Sequence, residues 1–361
     1  MQRTALSFPT VMLLDDAKAL REIDRSDMLS IMGRAPARLA PPTDAMSTCH
    51  RKFGTVENVV FGGLGGSGIV GDILSDYCRE STNIPVSVCR TLRIPKYVGT
   101  RTLFIAISYS GETQETFTQV SQARTHGAAI LVITSGGRLL SVAEENGMPY
   151  LRVPSGLLPR LALPELVAAA AFALGSAKIL TNTSRLLSEA AISLSETIER
   201  VKQTVSLEGN SAKQMAQALL GKLPLLIGDE AYGSVIRRFK NELNENSKVP
   251  AICYTLPEGY HDDIEGANSL RQLSNSQPIL LRTRDESEGQ SRTREQLTRL
   301  FSELDFPPVL EFDGQGNEKL SELLTAIIFA GYVSVYLAAL RGVDPAELAY
   351  IPKFREVMRG K

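Results

Sequence analysis

Short apolar runs alternate with amphipathic segments along the first half of this 361-residue chain. Runs rich in Val, Ile, Leu and Phe predict buried strands, whereas apolar positions three or four residues apart predict helices. Strands are predicted at 56–61, 85–89, 102–107, 128–133 and 149–153. The helices between them are predicted at 67–79, 113–125 and 138–145. Such alternation is typical of a parallel sheet with helices on both faces.

The same alternation returns in the second half of the chain, after two long helices. These long helices are predicted at 163–181 and 185–205. Strands follow at 223–228, 249–254, 277–282 and 308–312, with helices at 231–246, 290–304, 317–340 and 345–358. An amphipathic pattern at 11–35 adds N-terminal helices. We therefore predict an α/β fold of two parallel-sheet units preceded by helices, in domains that span 1–50, 51–205 and 206–361.

Charge and cysteine usage narrow the class of protein. The formal net charge is −1 and no long run of like charge occurs, which argues against a dedicated nucleic-acid surface. The four cysteines lack CxxC spacing, as expected for a reduced compartment. The most apolar stretch, 157–175, carries Arg160 and Glu165, so we expect a buried helix there rather than a membrane span. The N-terminal sequence does not resemble a secretory signal, and we expect a cytoplasmic protein.

Two loops rich in glycine and hydroxyl groups give the first chemical signal. GGLGGSGIVGD follows the first predicted strand at 62–72, and SYSGETQET follows the third at 108–116. A strand, a turn and a helix N-terminus direct backbone N–H groups and a positive helix end at one point, which suits a phosphate group. The residues predicted to hold that phosphate are Gly65, Gly66, Ser67, Ser108, Ser110 and Thr113.

Other interpretations of these loops stay open at this point. Gly63, Gly65 and Gly68 also fit the G-x-G-x-x-G pattern of dinucleotide-binding folds. The acidic ribose ligand expected after the second strand is missing, which disfavours NAD, while Arg90 and Arg93 leave a weak case for NADP. The lysine of a nucleotide-triphosphate loop is missing too. The hydroxyls of the second loop are alternatively an N-cap cluster that only starts a helix.

The two loops resemble those of the sugar isomerase (SIS) domain, and further motifs make the resemblance more specific. From about residue 55 onward, the chain resembles the bifunctional phosphoglucose/phosphomannose isomerases. The motifs are GLLPR at 156–160, FKNELNENSK at 239–248, HDDIEG at 261–266, and LRGVDP followed by IPKF within 340–354. The resemblance implies two SIS-type domains with a flavodoxin-like fold.

The resemblance also implies a reaction, in which glucose 6-phosphate, and mannose 6-phosphate as well, interconverts with fructose 6-phosphate through a cis-enediol. Moving a proton between C1 and C2 requires a base, a cation near the enediolate and groups that open the sugar ring. By resemblance, Glu245 is the base and Arg160 stabilises the enediolate. His261 and Lys353 open the ring, with His261 supplied by the partner subunit of a homodimer. Neither a metal nor another cofactor is expected.

One departure from the family pattern follows the histidine. Family members commonly continue with Asn-Glu, whereas this chain has Asp262 and Asp263. We expect these acids to affect turnover or substrate preference rather than the class of reaction. A non-catalytic phosphosugar sensor is the alternative function, although such sensors are normally joined to a DNA-binding or kinase-like module. The presence of the Arg, Glu, His and Lys set favours the enzyme.

Overall fold

The structure, a computed structural model, describes residues 13–41 and 53–358. The strands in this part of the chain are β1 (Asn58–Gly62), β2 (Val86–Cys89), β3 (Thr102–Ile107), β4 (Ala129–Thr134), β5 (Tyr150–Arg152), β6 (Leu223–Asp229), β7 (Ile252–Leu256), β8 (Ser276–Arg282) and β9 (Leu310–Asp313). The α-helices are Ala17–Ile23, Met28–Gly33, Ala35–Arg38, Gly65–Ser81, Gln114–Thr125, Gly137–Glu145, Leu163–Ser176, Thr183–Val201, Ser211–Leu219, Gly233–Glu242, Ala267–Leu273, Glu288–Glu303, Lys319–Leu340 and Ile351–Met358.

The first sheet contains β1 to β5, all parallel, in the order β2-β1-β3-β4-β5. Every residue of β3 is buried, as expected for a central strand covered on both faces. The chain changes direction across the sheet between β1 and β3, where Phe61 pairs with Ile105. In open parallel sheets, ligands bind at the carboxyl ends of the strands at such a switch point.

The second sheet contains β6 to β9, also parallel, in the order β7-β6-β8-β9. Its switch point lies between β6 and β8, where Ile227 pairs with Leu280. On one face of this sheet, Ile227 and Leu280 belong to the same buried cluster as Leu297 and Phe301 of the helix Glu288–Glu303. The prediction of two α/β units with parallel sheets is therefore confirmed.

The chain forms two compact units that are each discontinuous in sequence. The first-sheet unit consists of the described residues of Arg34–Ser195 and Gln315–Thr325. The second-sheet unit consists of those of Met1–Gly33, Glu196–Gly314 and Ala326–Lys361. The domain ranges 1–50, 51–205 and 206–361 stay predictions. They divide the sequence by its pattern of elements and motifs, whereas the two units are defined by contacts in space.

Two long apolar helices are buried inside the protein. The helix Leu163–Ser176 is buried along most of its length, which confirms the expectation of a buried helix in this apolar stretch. Its one acidic side chain, Glu165, is paired with Arg38 at 2.9 Å. Among the described helices, Lys319–Leu340 is long and apolar enough to cross a membrane, but 89% of its most apolar window is buried inside the protein. Core packing therefore accounts for the composition of both helices.

Most predicted elements agree with the structure to within about five residues, and several differ. The helices Ser211–Leu219 and Ala267–Leu273 were not predicted. The final helix begins at Ile351 rather than at 345, and Gly342 ends the preceding helix with a left-handed φ of +65°. N-terminal helices were predicted at 11–35, and the described residues of this range form the helices Ala17–Ile23 and Met28–Gly33, with residues 11 and 12 outside the described part.

Candidate active site

The loop after β1 depends on glycine for its close approach to β3. A Cβ at Gly63 would lie 2.8 Å from the carbonyl oxygen of Ile107, and one at Gly68 would lie 2.7 Å from that of Gly63. Gly65 adopts a φ of +55°, a left-handed conformation in which glycine has no steric strain. A side chain at Gly63 would push the loop away from the end of β3, and one at Gly68 would clash with the backbone of the loop itself.

The helix Gly65–Ser81 begins without a side chain that caps it. Its N-cap residue is Leu64, which has no polar side-chain atom, and no side-chain capping bond is made. The first N–H groups of a helix have no partner within the helix, and the helix dipole makes this end positive. The carboxyl end of β1 therefore faces a helix end that is open to an anion.

Ser67 joins this first loop to the second one. The Ser67 side chain is buried, and its Oγ accepts a hydrogen bond from the Tyr109 N–H at 3.1 Å. Ser108 is buried as well, and its hydroxyl shares a hydrogen bond with the Thr113 hydroxyl at 2.9 Å. The structure thus brings the predicted hydroxyl groups of both loops together at the switch point between β1 and β3.

The second loop also leads into an uncapped helix. Thr113 occupies the N-cap position of the helix Gln114–Thr125 but makes no capping hydrogen bond, since its hydroxyl bonds to Ser108. The interpretation of the hydroxyls as helix caps is therefore wrong for Thr113. The exposed Ser110 hydroxyl accepts from the Glu112 N–H at 3.3 Å. Gly111 has a φ of +66°, and a Cβ there would lie 1.8 Å from the carbonyl oxygen of Gly136.

Tyr109 is a structural residue of the site that the sequence did not reveal. Its phenol donates to the carbonyl oxygen of Pro154 and accepts from the Leu157 N–H, both at 3.0 Å. Burial raises the pKa of Tyr109, which keeps the phenol neutral and able to donate. The second loop is thereby fixed to the segment that precedes Arg160. The only sequence signal was an aromatic residue between the two serines.

Arg160 lies beside the start of the helix Gly65–Ser81. It belongs to a single turn of 3-10 helix, Pro159–Leu161, and only 5% of the residue is exposed. A Cβ at Gly66 would lie 3.4 Å from Arg160 Cα, so the two backbones are in contact. A second guanidinium holds this turn, because Arg38 donates to the Leu161 carbonyl at 3.0 Å. Two arginines, Arg38 and Arg160, therefore lie at this turn beside the first loop, and of the two only Arg160 was evident from the sequence.

One of the two arginines left open for NADP has structural partners. Arg90 forms an ion pair with Asp72 in the helix Gly65–Ser81 and donates to the Gly68 carbonyl at 3.3 Å. Its guanidinium therefore connects the end of β2 to the helix Gly65–Ser81 and compensates the charge of the Asp72 carboxylate. A dinucleotide site thereby loses one of its two candidate ligands for a 2′-phosphate, the other being Arg93.

Glu245 lies in an irregular helical turn of the second-sheet unit. The helix Gly233–Glu242 continues as a π-helical turn, Leu243–Ser247, which contains the half-buried Glu245. The turn ends at Lys248, whose φ of +58° is left-handed. Turns of π-helix inside α-helices are frequent at functional sites.

His261 and Lys353 are exposed side chains of the same unit. His261 follows a 3-10 turn, Glu258–Tyr260, and its ring lies 4.7 Å from the Tyr260 ring. Lys353 is in the final helix, Ile351–Met358.

Two aspartates follow His261, and the Asp263 N–H donates to Asp262 Oδ1 at 2.6 Å. Burial, and then the charge of Asp262, raise the pKa of Asp263, so the departure from the family pattern adds an acid that protonates more readily.

Comparison with known proteins assigns the chain to a family. Two family models match it: the SIS domain over residues 54–139, and the bacterial phospho-glucose isomerase C-terminal SIS domain over 208–358. A bifunctional phosphoglucose/phosphomannose isomerase from Caldicellulosiruptor bescii is 33% identical over 297 residues, which cover 82% of this chain and 88% of the relative. The chain belongs to the bifunctional phosphoglucose/phosphomannose isomerase family. Its two parallel-sheet units are accordingly SIS-type domains.

Relatives of this family member carry more than one functional name. A D-glucosamine-6-phosphate 4-epimerase from Sulfolobus acidocaldarius is 29% identical over 317 residues, 87% of this chain and 93% of the relative. Among solved structures, a glucose-6-phosphate isomerase like protein from Thermus thermophilus superposes with a TM-score of 0.63 at 17% identity. That match covers 95% of this chain and 99% of the other, and it supports the fold alone.

In this family member, the predicted site residues fall into two groups. The two loops after β1 and β3 and Arg160 lie together in the first-sheet unit, as the hydrogen bond of Ser67 and the contact at Gly66 establish. Glu245, His261 and Lys353 stand on three separate elements of the second-sheet unit. The chemical roles of all these residues stay predictions.

Proposed function

We propose that this protein is an aldose–ketose isomerase that interconverts glucose 6-phosphate, and also mannose 6-phosphate, with fructose 6-phosphate. The observation that carries the proposal is a pair of uncapped helix starts at one switch point, with Arg160 in contact with the first. Family membership supports the reaction, because curated relatives bear both substrate names.

The two loops hold the phosphate of the substrate in this proposal. A phosphate dianion accepts hydrogen bonds from hydroxyl groups and from unpaired backbone N–H groups, and the positive helix ends add electrostatic attraction. The backbones of Gly65 and Gly66 approach the anion closely because they have no side chains. The hydroxyl donors are Ser67, Ser108, Ser110 and Thr113. This arrangement binds the part of the substrate that does not react and so positions the sugar.

Proton transfer is the task of residues beyond the loops. Glu245 removes the proton from C2 of the open-chain aldose and returns one to C1, and the intermediate between these two transfers is a cis-enediolate. Arg160 stabilises the negative charge that develops on the enediolate oxygen. A buried guanidinium suits this task, because fixed charges act more strongly where water is excluded. His261 and Lys353 transfer the protons that open the sugar ring.

We propose further that the active site is shared between two subunits of a homodimer, with His261 contributed by the partner. The exposure of His261 is consistent with action outside its own chain. The final helix and the residue before it present large exposed apolar side chains: Tyr350, Phe354 and Val357. Such a stripe is typical of a surface that another subunit covers. Mixing inactive Glu245→Gln and His261→Ala proteins after subunit exchange should restore activity in hybrids, whereas exchanged hybrids without activity would contradict a shared site.

The direct test supplies glucose 6-phosphate and mannose 6-phosphate separately and measures fructose 6-phosphate. The proposal predicts product from both substrates. Saturable binding without turnover would support the phosphosugar sensor instead. Products epimerised at C4 would correspond to the reaction named for the Sulfolobus relative.

The base is tested by Glu245→Gln, which keeps the shape of the side chain and removes its basicity. We expect kcat to fall by about 10²–10⁴-fold, the usual contribution of a general acid–base group. The exposed Glu303 provides the matched control, and Glu303→Gln should leave kcat unchanged. Full turnover in Glu245→Gln would remove Glu245 from this role.

A further inference from the structure

We propose that Lys248 is a positioning residue for Glu245, whose backbone it holds through its ammonium group. The inference rests on the proposed function, in which Glu245 is the base. Lys248 Nζ donates to the Glu245 carbonyl oxygen at 2.5 Å and to the Asn246 carbonyl oxygen at 3.2 Å. It also donates to the carbonyl oxygen of Asp344 at 3.1 Å. One side chain thus connects the turn that carries Glu245 to a distant segment of the same unit.

The electrostatics of a helix end favour this contact. The last carbonyl groups of a helix have no partner within it and carry partial negative charge. Lysine offers three N–H donors on a compact cation, and three of its acceptors here are backbone carbonyl groups. The ammonium therefore stabilises the end of the π-helical turn at the residue that the reaction uses.

The backbone of Lys248 itself indicates that its side chain contributes to the structure. Lys248 has φ +58° and ψ +36°, and the Lys248 N–H closes the turn by donating to the Leu243 carbonyl oxygen. Glycine or asparagine usually occupies this left-handed position, because a Cβ is disfavoured there. We infer that the hydrogen bonds of the Lys248 side chain offset the strain of its left-handed backbone.

The residues between Glu245 and Lys248 are anchored independently. Asn246 Nδ2 donates to Ser334 Oγ at 2.9 Å, and Ser247 Oγ donates to the Ser334 carbonyl oxygen at 2.7 Å. Asn246 and Ser247 are both buried. Glu245 is therefore held from two directions, by the helix that contains Ser334 and by the Lys248 ammonium. Small displacements of a catalytic group have large effects on rate, so loss of one anchor should be measurable in kcat.

Two substitutions separate the ammonium from the backbone conformation. Lys248→Met keeps the length of the side chain and removes the charge, whereas Lys248→Gly also relieves the left-handed strain. We expect both to lower kcat for fructose 6-phosphate by about 10- to 100-fold, with KM within about threefold of the unmodified protein. Amide hydrogen exchange over residues 243–249 should become faster in both variants.

Lys213 provides the matched control. It is a buried lysine whose Nζ also donates to carbonyl groups, those of Gln203 and Val205, and in addition pairs with the Asp15 carboxylate at 2.9 Å. Lys213→Met should lower the melting temperature and leave kcat unchanged. A Lys248→Gly variant with unmodified kcat would overturn the positioning role, even if its hydrogen exchange were faster. An unmodified protein without turnover would overturn the proposed function and this role together, so the two failures are distinguishable.

Discussion

The two sheets share parallel strands around a switch point, but the chemistry at their strand ends differs. In the first sheet, β1 and β3 lead into helices that no side chain caps. In the second sheet, β8 leads into the helix Glu288–Glu303, which starts with a capping box: Ser287 Oγ accepts from the Gln290 N–H, and the Gln290 side chain accepts from the Ser287 N–H. The helices that follow β1 and β3 thus start without a side-chain cap, whereas the helix that follows β8 starts with one.

The two sheets also differ in charge at their switch points, because β6 ends at a carboxylate, that of Asp229. Asp229 accepts from the Ala231 N–H at 2.8 Å and from Gln290 Nε2 at 3.0 Å. A carboxylate therefore lines the cavity of about 360 Å³ at this switch point, where the first sheet has glycine and serine. A negative charge there disfavours a phosphate.

Among the substitutions that compare the two sheets, Gly111→Ala is expected to have the largest effect. Gly111→Ala places a Cβ 1.8 Å from the Gly136 carbonyl oxygen, so the second loop has to move. Strain and clash of a few kcal/mol correspond to a loss of at least about 100-fold in kcat/KM for fructose 6-phosphate.

The matched control for this loop is Gly221→Ala. Gly221 has a similar φ of +73°, and no heavy atom lies within 4 Å of the position that a Cβ would occupy. We expect a stability loss of about 1–2 kcal/mol in thermal unfolding and unchanged kcat/KM. Equal kinetic losses in both variants would show that general destabilisation, rather than the loop, causes the effect.

A smaller effect distinguishes the serines of the two sheets. Ser67→Ala removes the acceptor of the Tyr109 N–H and a proposed phosphate donor, so KM should rise about 10-fold or more. Ser287→Ala removes half of the capping box and should cost about 1 kcal/mol of stability with unchanged KM. Steady-state kinetics and thermal melts of both variants check this. If Ser287→Ala raised KM and Ser67→Ala did not, the assignment of the two strand ends would be reversed.

The smallest expected effect concerns the cysteines of the two units. Burial raises the pKa of Cys78, in the helix Gly65–Ser81, to about 12. Burial also raises the pKa of the half-buried Cys253, on β7. Because the thiolate is the reactive form, we expect iodoacetamide to modify Cys253 faster than Cys78 at pH 8. Peptide mass spectrometry measures both rates, and faster modification of Cys78 would mean that the first-sheet unit opens more readily.

Much of the fold was predictable because its signals are local. Apolar runs predicted both sheets, and the helix between 205 and 223 was missed although Ala212, Met215 and Leu219 have helical spacing. The π-helical turn was not predictable, since 231–246 has the pattern of one continuous helix. Its geometry depends on Ser334, about ninety residues further along the chain.

In the candidate site too, features set by neighbouring residues were predictable, whereas contacts between residues far apart in the sequence were not. Glycine and serine in the loops after β1 and β3 were evident from the sequence, because turn and helix-start residues are local signals. The contribution of Arg38 to the Arg160 turn was not evident, since 123 residues separate Arg38 from Leu161. Burial of Tyr109 and its contacts with Pro154 and Leu157 likewise require the folded chain.

The most direct test of the phosphate loops compares glucose 6-phosphate with glucose as substrates of the same protein. Both sugars offer the same C1 and C2, but only one carries the group that the open helix ends are proposed to hold. We predict that kcat/KM for isomerisation of glucose 6-phosphate exceeds that for glucose by at least about 10³-fold, because binding of the remote phosphate positions the reacting carbons. Equal values of kcat/KM for the two sugars would contradict the account.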